Sequence, residues 1–203
     1  MIMNKYIIFG CGGHARSVAD VLLFNEPDAN IIFVDSNARD GETIFNFPVL
    51  KTYDVVDEKV FIAIGNNAGR VELSNRYKNN LVNIISKDSY IGRDSSISGS
   101  SGIFVGHRAY IGPLCKIEKF SVVNTNASID HECSVGIGST IAPNATLCGK
   151  VKIGNMVWVG ANTAIKENLT INDNTVIGIG STVVKDIVKS GVYIGCPARL
   201  MEK

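Results

Sequence analysis

From Val105 to Val183 an aliphatic residue recurs at every sixth position without a break: Val105, Ile111, Ile117, Val123, Ile129, Val135, Ile141, Leu147, Ile153, Val159, Ile165, Ile171, Ile177 and Val183. A period of six matches neither the helical turn of about 3.6 residues nor the alternation of a strand, so it defines a structural repeat before any local propensity is weighed. Two residues before most of these aliphatics sits a small or β-branched side chain, such as Ala109, Cys115, Ser121, Ala127, Cys133 or Ser139. The residue just after is often glycine, as at Gly106, Gly112, Gly136, Gly154, Gly160 and Gly178. The unit is a short strand plus a corner that turns one aliphatic and one small group inward.

Three such units close a triangular coil, and coils stack at about 4.8 Å through parallel strand pairing. An earlier run, Ile85, Ile91, Ile97 and Ile103, keeps the period but is offset from the later frame, which predicts an irregular stretch between Ser98 and Phe104. With it the prism has about six coils and stands roughly 29 Å tall. Spacing does not decide the hand of the coil, and the general rule for parallel crossovers is right-handed.

Net charge is +1 over 203 residues and no Lys/Arg cluster occurs, which argues against nucleic acid or anionic lipid as a partner. The apolar run Tyr6 to Phe9 is too short for the hydrophobic region of a signal peptide. No stretch approaches the roughly eighteen apolar residues of a membrane span, so a soluble, cytoplasmic protein is expected. The five cysteines, Cys11, Cys115, Cys133, Cys148 and Cys196, are odd in number and show neither C-x-x-C spacing nor a histidine at zinc-ligand distance. Reduced thiols and no metal site are expected. Cys115 and Cys133 occupy the small position of the hexad, where a buried thiol fills space as a compact apolar group.

Ahead of the prism, Lys5 to Phe9 reads as a buried strand, followed by Gly10-Cys11-Gly12-Gly13-His14-Ala15 and a helical pattern through Val18, Val21 and Leu22. Ile31 to Asp35 makes a second strand with an acid at its end, which completes a dinucleotide-type fingerprint. The glycines let backbone amides approach a phosphate at the helix N-terminus, and Asp35 is placed to accept from a ribose hydroxyl. The alternative is a glycine turn with no ligand. The α/β part ends near residue 86, leaving room for one mononucleotide-binding half, so one nucleotide fits better than NAD. Val60 to Ile64 is a further strand, ended by Gly65-Asn66-Asn67 at the carboxyl end where open α/β sheets bind ligands. A polar helix with Arg70 and Arg76 follows, and Leu81 to Ile85 is expected as a last strand. The organisation expected is therefore mixed, with a Rossmann-like half domain over 1–86 and a parallel β-helix over 87–203.

Within the prism, Asn124 to Glu132 is the chemically dense part. His131 lies two residues beyond an inward aliphatic, which places it near a corner, and Glu132 is beside it. An imidazole with a carboxylate partner is what a general base near neutral pH requires. His107 has no comparable polar cluster and reads as structural, and His14 lies on the glycine turn. The C-terminal Gly191 to Arg199 leaves the hexad register, and Pro197 ends regular pairing, so this segment is expected to cap the open end of the solenoid.

The unbroken hexads, Gly10-Cys11-Gly12-Gly13-His14 after an N-terminal strand, Ile129-Asp130-His131-Glu132 and Gly195-Cys196-Pro197-Ala198 together resemble one family, over nearly the whole chain. It is the sugar O- and N-acetyltransferases that join a small nucleotide-binding-like domain to a left-handed β-helix. The resemblance implies the left hand, a homotrimer, and acetyl-CoA lying in the groove between adjacent subunits. It also implies His131 as general base, Glu132 beside it and Asn124 as a polar positioning group. Gly149, Ala161 and Ile179 match positions whose backbone contacts the cofactor. Gly12, Gly13, His14, Asp35, Ser36, Gly65 and Asn66 match the nucleotide-sugar pocket. Many members carry a histidine in a His-Ile-Ala-Pro motif where this chain reads Thr140-Ile141-Ala142-Pro143, whose hydroxyl would contact the thioester oxygen instead. The activity implied is acetylation of the 4-amino group of a nucleotide-linked 4-amino-4,6-dideoxy sugar, in glycan or O-antigen biosynthesis. Two alternatives stand beside it: O-acetylation of sialic acid and a non-catalytic sugar-binding scaffold.

Overall fold

The computed structural model describes residues 4–99 and 101–202. Its N-terminal part runs β1 (Lys5–Phe9), α1 (Gly13–Asn25), β2 (Asn30–Val34), β3 (Thr43–Ile44), β4 (Phe47–Leu50), β5 (Lys59–Ile62) and α2 (Asn67–Arg76). These strands form one sheet in the order β3-β4-β2-β1-β5. β1 lies parallel to both β2 and β5, and only β3 runs antiparallel to its neighbour. Central β1 is covered on both faces, which is why it reads as a continuous apolar run and not as an alternation. The hairpin of β3 and β4 was not expected from the sequence. Its turn is Phe45-Asn46, both at positive φ (52° and 66°), and a phenylalanine there hides the usual turn signal.

The remainder is a left-handed parallel β-helix with three faces. One face carries Ile84–Ile85, Phe104–Val105, Val122–Val123, Thr140–Ile141, Trp158–Val159 and Val176–Ile177, and the N-terminal domain docks on it. The second face runs from Tyr90–Ile91 to Thr182–Val183, and the third from Ser96–Ile97 to Thr170–Ile171. Each strand is two residues long and pairs in parallel with the residue pair one coil away, as Tyr110 and Ile111 pair with Ser128 and Ile129. The hexad aliphatics fill the interior: Val105, Ile111, Ile129, Ile141, Ile165 and Ile177 are all fully buried.

The small inward position does more than fill space. Ser121 Oγ donates to the carbonyl of Gly136 at 2.9 Å, Cys133 Sγ to that of Cys148 at 3.1 Å and Thr163 Oγ1 to that of Gly178 at 3.0 Å. Each donor ties its corner to the next one up, so the pattern selects small side chains that can donate as well as small ones that merely fit. A second six-residue beat runs along the corners, where Arg108, Leu114, Phe120, Asn126, Glu132, Asn144, Lys150, Met156, Asn162, Asn168 and Asn174 all have positive φ, with Gly102, Gly138 and Gly180 continuing the series. Asparagine recurs there because its short polar side chain tolerates the left-handed region. The glycine after the aliphatic answers a different need: a Cβ on Gly136 would lie 2.5 Å from the backbone of Gly154 in the next coil.

The irregular stretch expected between Ser98 and Phe104 is present, although residue 100 within it lies outside the described residues. Asn83 spans it, its Nδ2 donating to the carbonyls of Ser98 and Gly99 and its Oδ1 accepting from Ser101 and Ile103. The strand expected over Leu81 to Ile85 is divided: Leu81 bridges to Val60 of the α/β sheet, whereas Ile84–Ile85 pairs with Phe104–Val105 in the prism. The expected boundary at 86 thus falls inside the first coil, because the chain steps from one sheet to the other without a linker. Phe104 and Val122 from the prism share a core cluster with Ile8, Val18 and Phe61, which makes the two parts one packed body. At the far end Val192–Ile194 adds in parallel to the docked face and Arg199–Leu200 folds back on it antiparallel, covering the last coil.

Candidate active site

The site begins at the carboxyl ends of β1 and β5. Gly10 stands at φ +111°, and a Cβ there would lie 2.8 Å from the Ala63 carbonyl oxygen, so the turn out of β1 admits only glycine. The chain enters α1 with Gly12 as a cap that has no side chain, which leaves the first amides of the helix free for a ligand. Asp35 at the end of β2 is pinned across the turn, accepting from Cys11 N at 3.2 Å and Asn37 N at 2.9 Å. Burial pushes its carboxyl pKa up, but the hydrogen bonds from Asn37 and Cys11 outweigh that and hold it below the ordinary range. Asp35 and Ser36 line a cavity of about 670 Å³ with Phe9, Lys51 and Tyr77.

A second cavity, of about 370 Å³, lies on the other side of the glycine turn, between α1, α2 and the prism. Gly13, His14 and Gly65 reach it from the N-terminal domain, and Asn124, Thr140 and Trp158 from the prism. His14 Nε2 is buried with no hydrogen-bond partner, and its ring packs edge-on to Phe104 at 5.3 Å. Burial and the nearby Arg70 cation push its pKa down to about 4, so the imidazole is neutral. Asn66 caps α2 by accepting from Gly69 N at 2.9 Å and faces a shallower hollow with Met156 and Trp158.

Arg70 is the residue that sequence reading passed over. It is 1% exposed, and its guanidinium donates to the carbonyls of Phe120, Ile64 and Gly138 and to Asn67 Oδ1 and Thr140 Oγ1 at 2.8–3.0 Å. Burial lowers its pKa to about 10, which leaves it charged at neutral pH. Thr140 in turn donates to Asn67 Oδ1 at 2.8 Å and is 3% exposed. Its hydroxyl is therefore engaged on both sides, accepting from Arg70 and donating to Asn67, in the seam between the domains. Only an arginine placed by the three-dimensional fold reveals this; a polar helix with two arginines reads as a solvated surface.

The prism carries the other candidate residues. His131 lies on the corner between the second and third faces, exposed, with Nδ1 at 2.9 Å from Glu132 Oε2. That contact assigns the proton to Nδ1 and leaves the Nε2 lone pair free. Lys150 Nζ approaches the same carboxylate oxygen at 3.7 Å. Gly149, one coil above, is where the ring rests: a Cβ on Gly149 would stand 2.5 Å from His131 Nε2 and 2.6 Å from Cε1. Among the described residues the Gly149 N–H finds no acceptor, nor do those of Ala161 and Ile179, which hold the same hexad position on the corner above Asn124. Cys133 is buried with its thiol turned to Cys148, so it is not presented to solvent as a nucleophile. His107 bridges Ser86 Oγ at 2.8 Å and Asp20 at 3.4 Å and ties α1 to the first coil.

Asn124 and His131 are not neighbours in one chain. A whole strand, Ser128–Ile129, separates their corners, so the dense segment of the sequence opens into two groups at opposite edges of the second face. Gly13, His14, Gly65, Asn124 and Thr140 gather around the smaller cavity, Asp35 and Ser36 around the larger, and His131, Glu132 and Gly149 at the far corner, while Gly12 caps α1 on the glycine turn. No group of His, Cys, Asp and Glu among the described residues is arranged to hold a metal ion. No helix among them is long and apolar enough to cross a membrane.

A nucleotide-type turn joined to a hexad prism with an imidazole and carboxylate on its edge defines a class, the β-helical acyltransferases. Residues 5–77 match the PglD N-terminal domain model. The chain is 28% identical to GDP-perosamine N-acetyltransferase of Escherichia coli O157:H7, over 99% of this chain and 98% of that one. PerB from Caulobacter crescentus, solved with CoA and GDP-perosamine, superposes with a TM-score of 0.83 at 26% identity, over 100% of this chain and 99% of that one. The acetyltransferase domain of PglB from Neisseria gonorrhoeae has the same fold, with a TM-score of 0.90 at 24% identity, over 98% of this chain and 100% of that one. Along nearly its whole length the chain is thus similar to sugar N-acetyltransferases built on a left-handed β-helix.

Proposed function

We propose that this protein transfers the acetyl group of acetyl-CoA to the 4-amino group of a nucleotide-linked 4-amino-4,6-dideoxy sugar. The observation that carries the reading is the imidazole of His131, oriented by Glu132 and seated against Gly149, whose amide N–H is unclaimed. The relatives support the substrate class: one is named for GDP-perosamine and another was solved with that nucleotide sugar and CoA.

In this reading the nucleotide occupies the cavity of Asp35 and Ser36, the diphosphate lies on the free amides of Gly12 and Gly13, and the sugar enters the cavity of His14, Gly65 and Asn124, with Asn66 at its edge. The amine lone pair attacks the thioester carbonyl, a C–N bond forms, and His131 Nε2 takes a proton from nitrogen. The C–S bond then breaks, and the proton passes to the departing thiolate. The Gly149 N–H steadies the oxyanion, since the Thr140 hydroxyl already has two partners. The outward amides of Ala161 and Ile179 hold the rest of acetyl-CoA. Because Asn124 and His131 lie on different corners, the site is completed by a neighbouring copy, which is the reason to infer a homotrimer with active sites between subunits. The enzyme then acts in the cytoplasm on a glycan or O-antigen precursor.

Mass-spectrometric assay with GDP-, UDP- and dTDP-linked 4-amino sugars tests the reading and identifies the nucleotide. His131→Ala should lower kcat by about 10²–10⁴, with the rise in Tm on adding acetyl-CoA retained. Full turnover by that variant would remove His131 from the chemistry, and no transfer to any sugar of the panel would leave the scaffold alternative.

A further inference from the structure

We propose that the cavity between α1 and the prism takes the acceptor's amino group as the uncharged free base, the ammonium proton being shed to solvent on entry. This rests on the N-acetyltransferase reading and adds to it the protonation state that the site selects.

Arg70 forms one wall of that cavity as a fully buried cation. Its partners are carbonyls, an amide oxygen and a hydroxyl, all neutral, so its charge is solvated by dipoles but not cancelled. The walls supply no acid: α1 contributes His14 and Ser17, α2 Arg70, and the prism Asn124, Thr125 and Thr140 among its polar groups. The nearest carboxylates are turned elsewhere. Asp20 faces His107, Asp35 accepts from Cys11 and Asn37 beside the other cavity, and the Glu132 that a neighbouring copy brings with its His131 is engaged by that imidazole and by Lys150. The substrate's own diphosphate lies at the glycine turn, where helix amides meet its charge.

An ammonium group here would add a second buried cation next to the first with no anion between them, an arrangement that desolvation and Coulomb repulsion both oppose. A free amine meets no such penalty. It also satisfies an otherwise stranded atom, because the buried, unpartnered Nε2 of neutral His14 can accept one of its N–H groups. The remaining lone pair is then the one that attacks the thioester. The proton balance has two parts: R–NH₃⁺ gives R–NH₂ and a proton to solvent on binding, and the second proton leaves nitrogen for His131 during transfer.

The test is calorimetric, on the wild-type protein without acetyl-CoA, using whichever nucleotide-linked 4-amino sugar the activity panel shows to be acetylated. Titrations in buffers of different ionisation heat, about one pH unit below the amine's own pKa, count protons released by linkage. About one proton should leave per amine bound, and none when the 4-hydroxy counterpart binds. Zero release with the amine overturns the proposal while leaving the acetyltransferase reading intact. A panel without any acetylated sugar overturns that reading instead, before calorimetry begins. Ser17→Asp places an acid at the cavity mouth on an exposed helical position. It should cut the proton release to less than half and raise the affinity for amine relative to the 4-hydroxy sugar. An unchanged proton count in that variant would show that the field of Arg70 is not the cause.

Discussion

Glycine 149 has no side chain, and the position of an imidazole depends on that. A methyl group there would collide with the ring tip of His131 and not with backbone, so the ring must swing aside while the coil stays in place. Gly149→Ala should therefore cost about 10²-fold in kcat, the scale of a 1 Å misplacement, with Tm within about 1 °C of wild type; steady-state kinetics and a thermal melt together separate this from a folding defect. Arg108 is the opposite case. It holds φ 55° with an exposed side chain whose ion pair to Asp88, at 3.7 Å, is loose. Arg108→Asn puts a residue suited to the left-handed region in its place and should stabilise by about 1 kcal/mol, raising Tm by roughly 2–4 °C. A lower melting temperature would show that the corner beat is not under conformational cost. His14 adds a pH dependence. With the folded pKa near 4 and the ordinary value near 6.5, the unfolded chain binds the extra proton between them. Stability is then full above about pH 6.5 and declines as pH falls towards 4, and His14→Gln should flatten that part of a Tm-versus-pH curve.

At the scale of elements, the coil is set by two glycine-sensitive spacings. Gly136→Ala would drive a Cβ into the Gly154 backbone, which cannot rotate away, and should destabilise by about 1–3 kcal/mol as other overpacked sites do. Denaturant melts of this variant beside Gly149→Ala compare the same substitution against backbone and against a side-chain tip. Much of this layer was legible in the sequence because the hexad is written into every coil: the aliphatics, the small inward positions and the frame shift before Phe104 all have residue signatures. The β3–β4 hairpin was not, since Phe45 in a left-handed turn gives no signal. The last strand was misjudged because Leu81 and Ile84 are both apolar, and only the sheets they join tell them apart.

For the whole molecule, motifs located the candidate residues but not their grouping. His131, Glu132 and Gly149 share a corner because residues eighteen apart stack, a relation that follows from the repeat. Arg70 lies outside any repeat, and its reach into Phe120, Gly138 and Thr140 depends on how one domain sits on the other, which no local pattern records. The same seam explains why Thr140, at the position of a family histidine, turns to the domain interface and not to the corner of His131.

The Asn83 amide, gripping both lips of the stretch from Ser98 to Ile103, carries a rule for remodelling this column. Length added in whole coils keeps every residue on its own face, whereas an increment that is not a multiple of six takes the aliphatics beyond it out of the inward register. The chain breaks step once, where a side chain from the neighbouring segment takes up the carbonyls and amides left without rungs. A designer wishing to lengthen or shorten the column elsewhere would have to supply a comparable clasp.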